Sequence, residues 1–440
     1  MRYVFAWLLT SFWFRPLIIS ALAIPLFMLT YWLDTTSTLP WLTNSELLFR
    51  FSVEGARQIL SVIIGSLITV TSLVFSMTLI ALSNTASQLG PRLIQMFSSG
   101  SLPQIMLGSL IGNLIVGLLL FQAIGDPITG VEFAPALSLS TSIVGIISNL
   151  GFLVYFLHHT SKKIDADAVV ATMGSAFGDA IATATAHNGT KSPLADYEAV
   201  HNRAAEHGYT KQTVIPANAS GYIQTINVEA LVKLAQSEDM IVEIETKPGR
   251  FMIDGTHLGT VQSKNDADPA LANKICKANK IGRQRTHAQD LEFSIAALVE
   301  IALRALSPGV NDPYTAITCI DWLAAGLAQS FKTGLPAAAH RDGDDMVRVV
   351  VSPVTYEGLL NTALSEIRQQ AAGKIAIVIR LLEMLQDLVF LAETDEQRLA
   401  VRRHANNVIR LSEDIECDEF DSQALFERVR QLKTCVAESI

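Results

Sequence analysis

Charge is what the first part of this chain lacks. Of the 33 Lys+Arg and 42 Asp+Glu in 440 residues, the first 160 positions hold only Arg2, Arg15, Arg50, Arg57, Arg92 and Asp34, Glu46, Glu54, Asp126, Glu132. The net charge of −9 therefore sits wholly in the later part. That distribution excludes a simple soluble enzyme, a disordered chain and a basic nucleic-acid binder. Cysteine is scarce as well. Cys276, Cys319, Cys417 and Cys435 all follow residue 160, at spacings that match no zinc or disulfide framework, and read as reduced cytosolic thiols. No Ser–His–Asp set, P-loop, HExxH or glycine-rich dinucleotide turn is legible. The nine histidines are scattered, and His201 and His207 fall on different helical faces. No catalytic residue, cofactor or metal site is therefore expected.

What is present is a set of charge-free apolar runs: Pro16–Leu33, Gln58–Pro91, Leu93–Gly125 and Phe133–Ser161. About 20 apolar residues cross the hydrocarbon core as a helix. The runs predict spans at 16–34, 58–83, 103–125 and 136–158, and they lack the period of barrel strands. Ala21-Leu22-Ala23 resembles a signal-peptide cleavage site, but Arg15 interrupts the preceding apolar stretch, which favours a retained span. Arg2, Arg15, Arg92, Lys162 and Lys163 place both termini in the cytoplasm, by the rule that basic residues stay inside. Arg50 and Arg57, in the first outer loop, run against it.

Span two is the most informative. Gly65, Thr69, Ser72, Ser76, Ser83 and Ser87 recur at steps of four and three, with Ile80 filling the gap. That spacing puts small and hydroxyl residues on one helix face. Two uses fit: tight helix–helix packing, or the wall of an aqueous path in an oligomer. Gly108, Gly112, Gly117 of span three and Ser138, Ser142, Gly145 of span four are small too, so composition alone does not set span two apart. Short of Asp34 and His158 at two span ends, no acidic, basic or histidine side chain stands within a span, which argues against a charge-coupled transporter and leaves a passive pore or an anchor.

Past residue 160 the expectation is a cytoplasmic α+β region: a helical connector (161–210), a small β module (211–265) and a mainly helical domain (266–440) that ends in a C-terminal helical bundle. The connector carries helices over Ile164–Ala186 and near Leu194–Glu206. Met240–Glu245 alternates as a half-buried strand does. Arg250–Ile253 and Leu258–Val261 are further short strands, and Asn227 caps a helix over Val228–Ala235. The run from Ser220 to Val261 faintly resembles the barrel sandwich of lipoyl-like modules, but no lysine stands at a matching hairpin tip. Gly334–Asp345 reads as a surface loop. The densest polar chemistry is Arg283, Arg285, Asp290, Glu292, Arg304, Asn311 and Asp312, around two helices (288–306 and 313–328) joined by Ser307–Pro313. It fits either a polar site between two helices or an ion-pair network that fixes a helical hairpin.

Two segments, TLIALSNTASQLGPRLIQMF (78–97) and RALSPGVNDPYTAITCIDWL (304–323), are similar to paired signatures of the bacterial membrane proteins called domain of unknown function 2254. The matching positions are Pro91, Arg92, Ser307, Pro308, Asn311, Asp312, Pro313 and Thr315. The resemblance implies four spans, a long cytoplasmic region and a bacterial inner-membrane location, and it brings no activity or ligand. The functional expectation is a homo-oligomeric, anion-preferring pore for small ions in the lipid bilayer, lined by Gly65, Thr69, Ser72, Ser76, Ser83 and Ser87, with Arg92 at its mouth. The alternative is a non-conducting anchored scaffold or sensor. Nucleic acid is not an expected partner.

Overall fold

A computed structural model describes residues 13–36, 51–89, 101–125, 133–163, 166–186, 189–195, 197, 209, 211–264, 269–286 and 289–438. The chain divides into two compact units, Met1–Asp165 and Ala166–Ile440.

The first unit holds α1 (Phe14–Thr36), α2 (Val53–Leu89), α3 (Ser101–Ala123) and α4 (Ala136–Lys163). All four are long and apolar enough to cross a membrane. α2 runs for 37 residues, beyond both ends of the expected 58–83. Nothing between Val53 and Leu89 breaks the backbone ladder, since no proline interrupts it. At 1.5 Å per residue it is about 55 Å long, well over the hydrocarbon thickness. The bundle closes on α3. Gly108 and Gly112, four apart, let α1 approach: a Cβ at Gly108 would stand 2.8 Å from the Ile19 Cβ and 3.0 Å from the Pro16 Cα. Ala56, Leu60, Leu67 and Val74 of α2 are buried against Met106, Leu110, Val116 and Leu120 of α3.

The second unit begins with α5 (Ala166–Thr185) and the two-residue β1 (Gly189–Thr190). The expected helix near 194–206 lies mostly outside the described residues. Then follow β2 (Lys211–Pro216), β3 (Gly221–Ile226), α6 (Val228–Ser237), β4 (Met240–Ile244), β5 (Phe251–Met252), β6 (His257–Ser263), α7 (Pro269–Ala278) and β7 (Asn279–Gly282). Next come α8 (Leu291–Ala305), α9 (Pro313–Thr333), β8 (Leu335–Pro336), β9 (Ala339–Arg341) and β10 (Val347–Val351). Four helices end the chain: α10 (Tyr356–Gln370), α11 (Ile375–Leu391), α12 (Asp395–Glu413) and α13 (Glu419–Glu438).

The strands do not close into a barrel sandwich. They form a five-stranded sheet, β2-β6-β4-β10-β9, a three-stranded one, β5-β3-β7, and a two-stranded pair, β1-β8. β10, about a hundred residues later in sequence, pairs parallel with β4, a crossover no hairpin signal announces. That pairing corrects two expectations. β4 is central, so all five of its residues are buried instead of alternating. The stretch 334–345 is no plain loop: it carries β8 and β9, and Asp342 there bonds Arg348. α6 and α7 cover one face of the strands, with Ile223, Leu231, Val242, Leu258, Val261, Ile275 and Val349 in the shared core. Asn227 caps α6 as its side chain foretells, accepting from Ala230 N at 3.0 Å.

The helical part packs through glycine as well. Gly174 of α5 lies under the Trp322 indole, where a Cβ would come within 2.3 Å of the ring, and Gly326 of α9 lies under the Phe177 ring. Leu381, Leu382, Leu385, Leu388 and Val389 form the buried stripe of α11 that their spacing predicts.

Candidate functional site

On α2 the two faces differ in kind. The buried positions Ala56, Leu60, Leu67 and Val74 recur at steps of four and seven. At 100° per residue, Gly65, Thr69, Ser72, Ser76 and Ser83 fall on the opposite side, and all five are exposed. A Cβ at Gly65 would meet nothing within 4 Å. The Thr69 hydroxyl donates to the Gly65 carbonyl at 3.0 Å, as a hydroxyl one turn along a membrane helix does. Several small residues of the other spans are used inside the bundle, while Gly151 of α4 is as open as Gly65. Gly112 meets Ala23, Gly117 meets Ile64 and Gly145 meets Asn113. Ser138 bonds Asp34 and Thr30, and Ser142 is buried. Ser87 lies on α2, but its side chain, like the whole of Pro91 and Arg92, falls outside the described residues.

At one end of the bundle, charges cap neighbouring helices. Asp34 of α1 accepts the N–H groups of Leu137 and Ser138 at the start of α4, at 3.0 and 2.9 Å. Arg57 of α2 donates from Nη2 to the carbonyls of Ile124 and Gly125, just past the end of α3, at 2.9 and 3.2 Å. A carboxylate at a helix start and a guanidinium at a helix end both complement the dipole. Arg57, one of the two basic residues that run against the orientation rule, is a C-terminal cap.

The polar cluster of the second unit separates into two groups at opposite ends of α8, about 20 Å apart by helical rise. At its start, Asp290 is 3% exposed and accepts from Arg285 Nε and Nη2 at 2.8 and 2.7 Å. Burial pushes the Asp290 carboxyl up despite the pull of Arg285. The turn Lys247–Arg250 lies over it: Gly249, at φ +89°, has no Cβ because one would stand 2.1 Å from Asp290 Oδ2. Lys247 pairs with Glu292. Gln289 bonds both backbone groups of Ile226, extending the edge of the small sheet. Arg283 is exposed nearby.

At the far end of α8, Arg304 faces Glu300 at 3.6 Å, one turn back. The turn after it is tightly bonded. Ser307 O accepts from Val310 N and Asn311 N, and Ala305 O accepts from Asp312 N at 2.8 Å. Asn311 adopts φ +49°, a left-handed conformation that asparagine tolerates better than most residues. Asp312 caps α9 from Oδ1, accepting Thr315 N at 3.1 Å, and takes the Thr315 hydroxyl on Oδ2, which holds its carboxyl below the ordinary range. Ser307, Pro308, Asn311, Asp312, Pro313 and Thr315 thus build one helix–turn–helix joint. Its rim is apolar: Val310 and Tyr314 are exposed, Tyr314 to 80%.

A third network was not foreseen. Arg348 of β10 donates from Nε to Asp342 at 2.7 Å and from Nη1 to Asp239 at 3.1 Å and Tyr209 at 3.2 Å. Lys264 reaches Asp239 at 2.8 Å. The four charges balance around a buried guanidinium. Their positions, scattered from 239 to 348, give no local signal, since only the parallel pairing of β10 joins them. Among the described residues no three His, Cys, Asp or Glu side chains converge as metal ligands.

The profile of the family described as "Predicted membrane protein (DUF2254)" matches residues 9–387. The chain is 26% identical over 387 residues to "Uncharacterized protein Rv1290c" of Mycobacterium tuberculosis, spanning 86% of this chain and 72% of that protein. The same figures hold for "Uncharacterized protein Mb1321c" of Mycobacterium bovis. No solved structure matches significantly. With four helices able to cross a membrane and the joint at 304–323 falling within the matched span, the chain belongs to the DUF2254 family of membrane proteins.

Proposed function

We propose that the protein works as a homo-oligomeric pore in the bacterial inner membrane, both termini cytoplasmic, with the outward face of α2 lining a path for small ions and the second unit assembling and gating it. The observation that carries this is the outward side of α2 itself: Gly65, Thr69, Ser72, Ser76 and Ser83 are all exposed opposite its buried stripe, and a Cβ at Gly65, as at Gly151 of α4, would meet nothing within 4 Å. A hydroxyl-bearing face left open among the described residues of the first unit suits contact with water or a second copy. Arg92, beyond the end of α2, would form a cationic ring that favours anions. The test is flux through liposomes holding the purified chain. Chloride flux above that of empty vesicles, turned toward cations by Arg92→Glu, supports the pore; background flux rejects it. A non-conducting scaffold is the second reading. Its support is the rigid turn at 307–313, which presents Val310 and Tyr314 to a partner. Loss of a pulled-down partner on Tyr314→Ala, without flux, would favour that account.

A further inference from the structure

Spans three and four meet along a polar seam at mid-membrane. Ser109 and Asn113 lie one turn apart on α3, and Ser142, Gly145 and Asn149 share a face of α4. Asn149 Nδ2 donates to Ser109 O at 3.4 Å. One turn on, the Asn113 amide lies over Gly145, its Nδ2 2.9 Å from where a Cβ would stand. Ser142, the next turn along, is 2% exposed. Neither the buried Asn113 Nδ2 nor the buried Ser142 Oγ has a hydrogen-bond partner.

In hydrocarbon an unpaired polar group costs several kcal/mol, and no water from the bilayer core relieves it. The Asn113 amide N–H and the Ser142 hydroxyl, on either side of Gly145 and each without a partner, can both donate to one small guest that accepts hydrogen bonds. No acidic or basic side chain stands on α3, or on α4 before His158, so no cation partner is at hand. We propose that Asn113 and Ser142 hold a small hydrogen-bond acceptor, a halide ion or a water molecule, between α3 and α4. The site is independent of the pore reading, because it lies within one chain and away from the exposed face of α2.

Thermal unfolding of the full chain in detergent tests it, at equal ionic strength in chloride, bromide or gluconate. A bound halide raises Tm in chloride and bromide over gluconate, by about 2–4 °C for 1 kcal/mol of linkage, and the rise grows with halide concentration. Asn113→Leu and Ser142→Ala each abolish that rise. A bound water gives no anion dependence, but Ser142→Ala then lowers Tm because the water loses a partner. No anion dependence together with a Ser142→Ala Tm at or above wild type is the behaviour of a dry seam relieved of an idle hydroxyl, and overturns the proposal.

Discussion

The carboxylate of Asp34 takes both the backbone N–H and the hydroxyl of Ser138, at 2.9 and 2.8 Å, so the end of the first span caps the start of the fourth. Two segments a hundred residues apart are thereby fixed at one depth. A side chain from another helix does what an N-cap residue ordinarily does from within. Replacing Asp34 by Ala leaves two N–H groups unpaired and should cost about 1–2 kcal/mol, read as a lower unfolding midpoint in detergent. Asp34→Asn, which keeps one acceptor oxygen, should lose less. Equal midpoints for Asp34→Ala and wild type would show that the cap is idle.

Arg57 makes the converse contact. With Nη2 on the carbonyls of Ile124 and Gly125, its charge is tied to the end of α3. Arg57→Gln should therefore weaken the fold while leaving the membrane orientation as it was. Accessibility of single cysteines placed at each end of the chain checks this. An inverted topology in the variant would mean that Arg57 acts in orientation after all.

Burial at the start of α8 leaves no slack. Gly249→Ala must overcome both φ +89° and a Cβ driven into the Asp290 carboxylate, and should cost more than about 3 kcal/mol. Asp290→Ala frees the space but strands Arg285, and should cost about 3 kcal/mol or more. Because the two residues touch, the double variant should cost less than the sum of the singles, by more than about 0.5 kcal/mol in a double-mutant cycle.

His404 sets a pH limit. It is 2% exposed on α12, neither ring nitrogen has a partner, and burial with Arg368 and Arg403 nearby pushes its pKa down from 6.5 to about 4. The folded state therefore holds fewer protons than the unfolded one between those values. Stability is full above pH 6.5 and is lost as pH falls toward 4, by up to about 3 kcal/mol. His404→Leu should flatten that part of the stability-versus-pH curve. An unchanged slope in the variant assigns the acid sensitivity to other groups.

Local patterns carried much of this fold. The four apolar runs, the Asn227 cap and the α11 stripe each follow from residues within a turn or two of one another. What stayed hidden depends on distant pairing. Glu243 read as the outward member of an alternating strand, but β10 pairs beside β4, Glu243 is buried, and Tyr197 donates to it at 2.6 Å. Asp342 read as loop polarity until Arg348 stood beside it. The polar residues between 283 and 312 looked like one cluster because they are close in sequence, yet a whole helix separates Asp290 from Asp312.

The sharpest separation of roles lies between two glycines of the first unit. Gly112 of α3 faces α1, where a Cβ would stand 3.1 Å from Ala23, and a Cβ at Gly65 of α2 would meet nothing within 4 Å among the described residues. Gly112→Leu should push α1 off α3 and cost several kcal/mol, lowering the unfolding midpoint of the solubilised chain. Gly65→Leu meets empty space, and leucine has the better helix propensity, so the midpoint should hold or rise slightly. If a second copy or a water-filled path lies along that face, the same change should lower the oligomer mass by crosslinking or block flux without loss of fold. A Gly65→Leu chain with wild-type assembly and wild-type flux would leave the outward face of α2 meeting only acyl chains, and the hydroxyl stripe would then have no part in function.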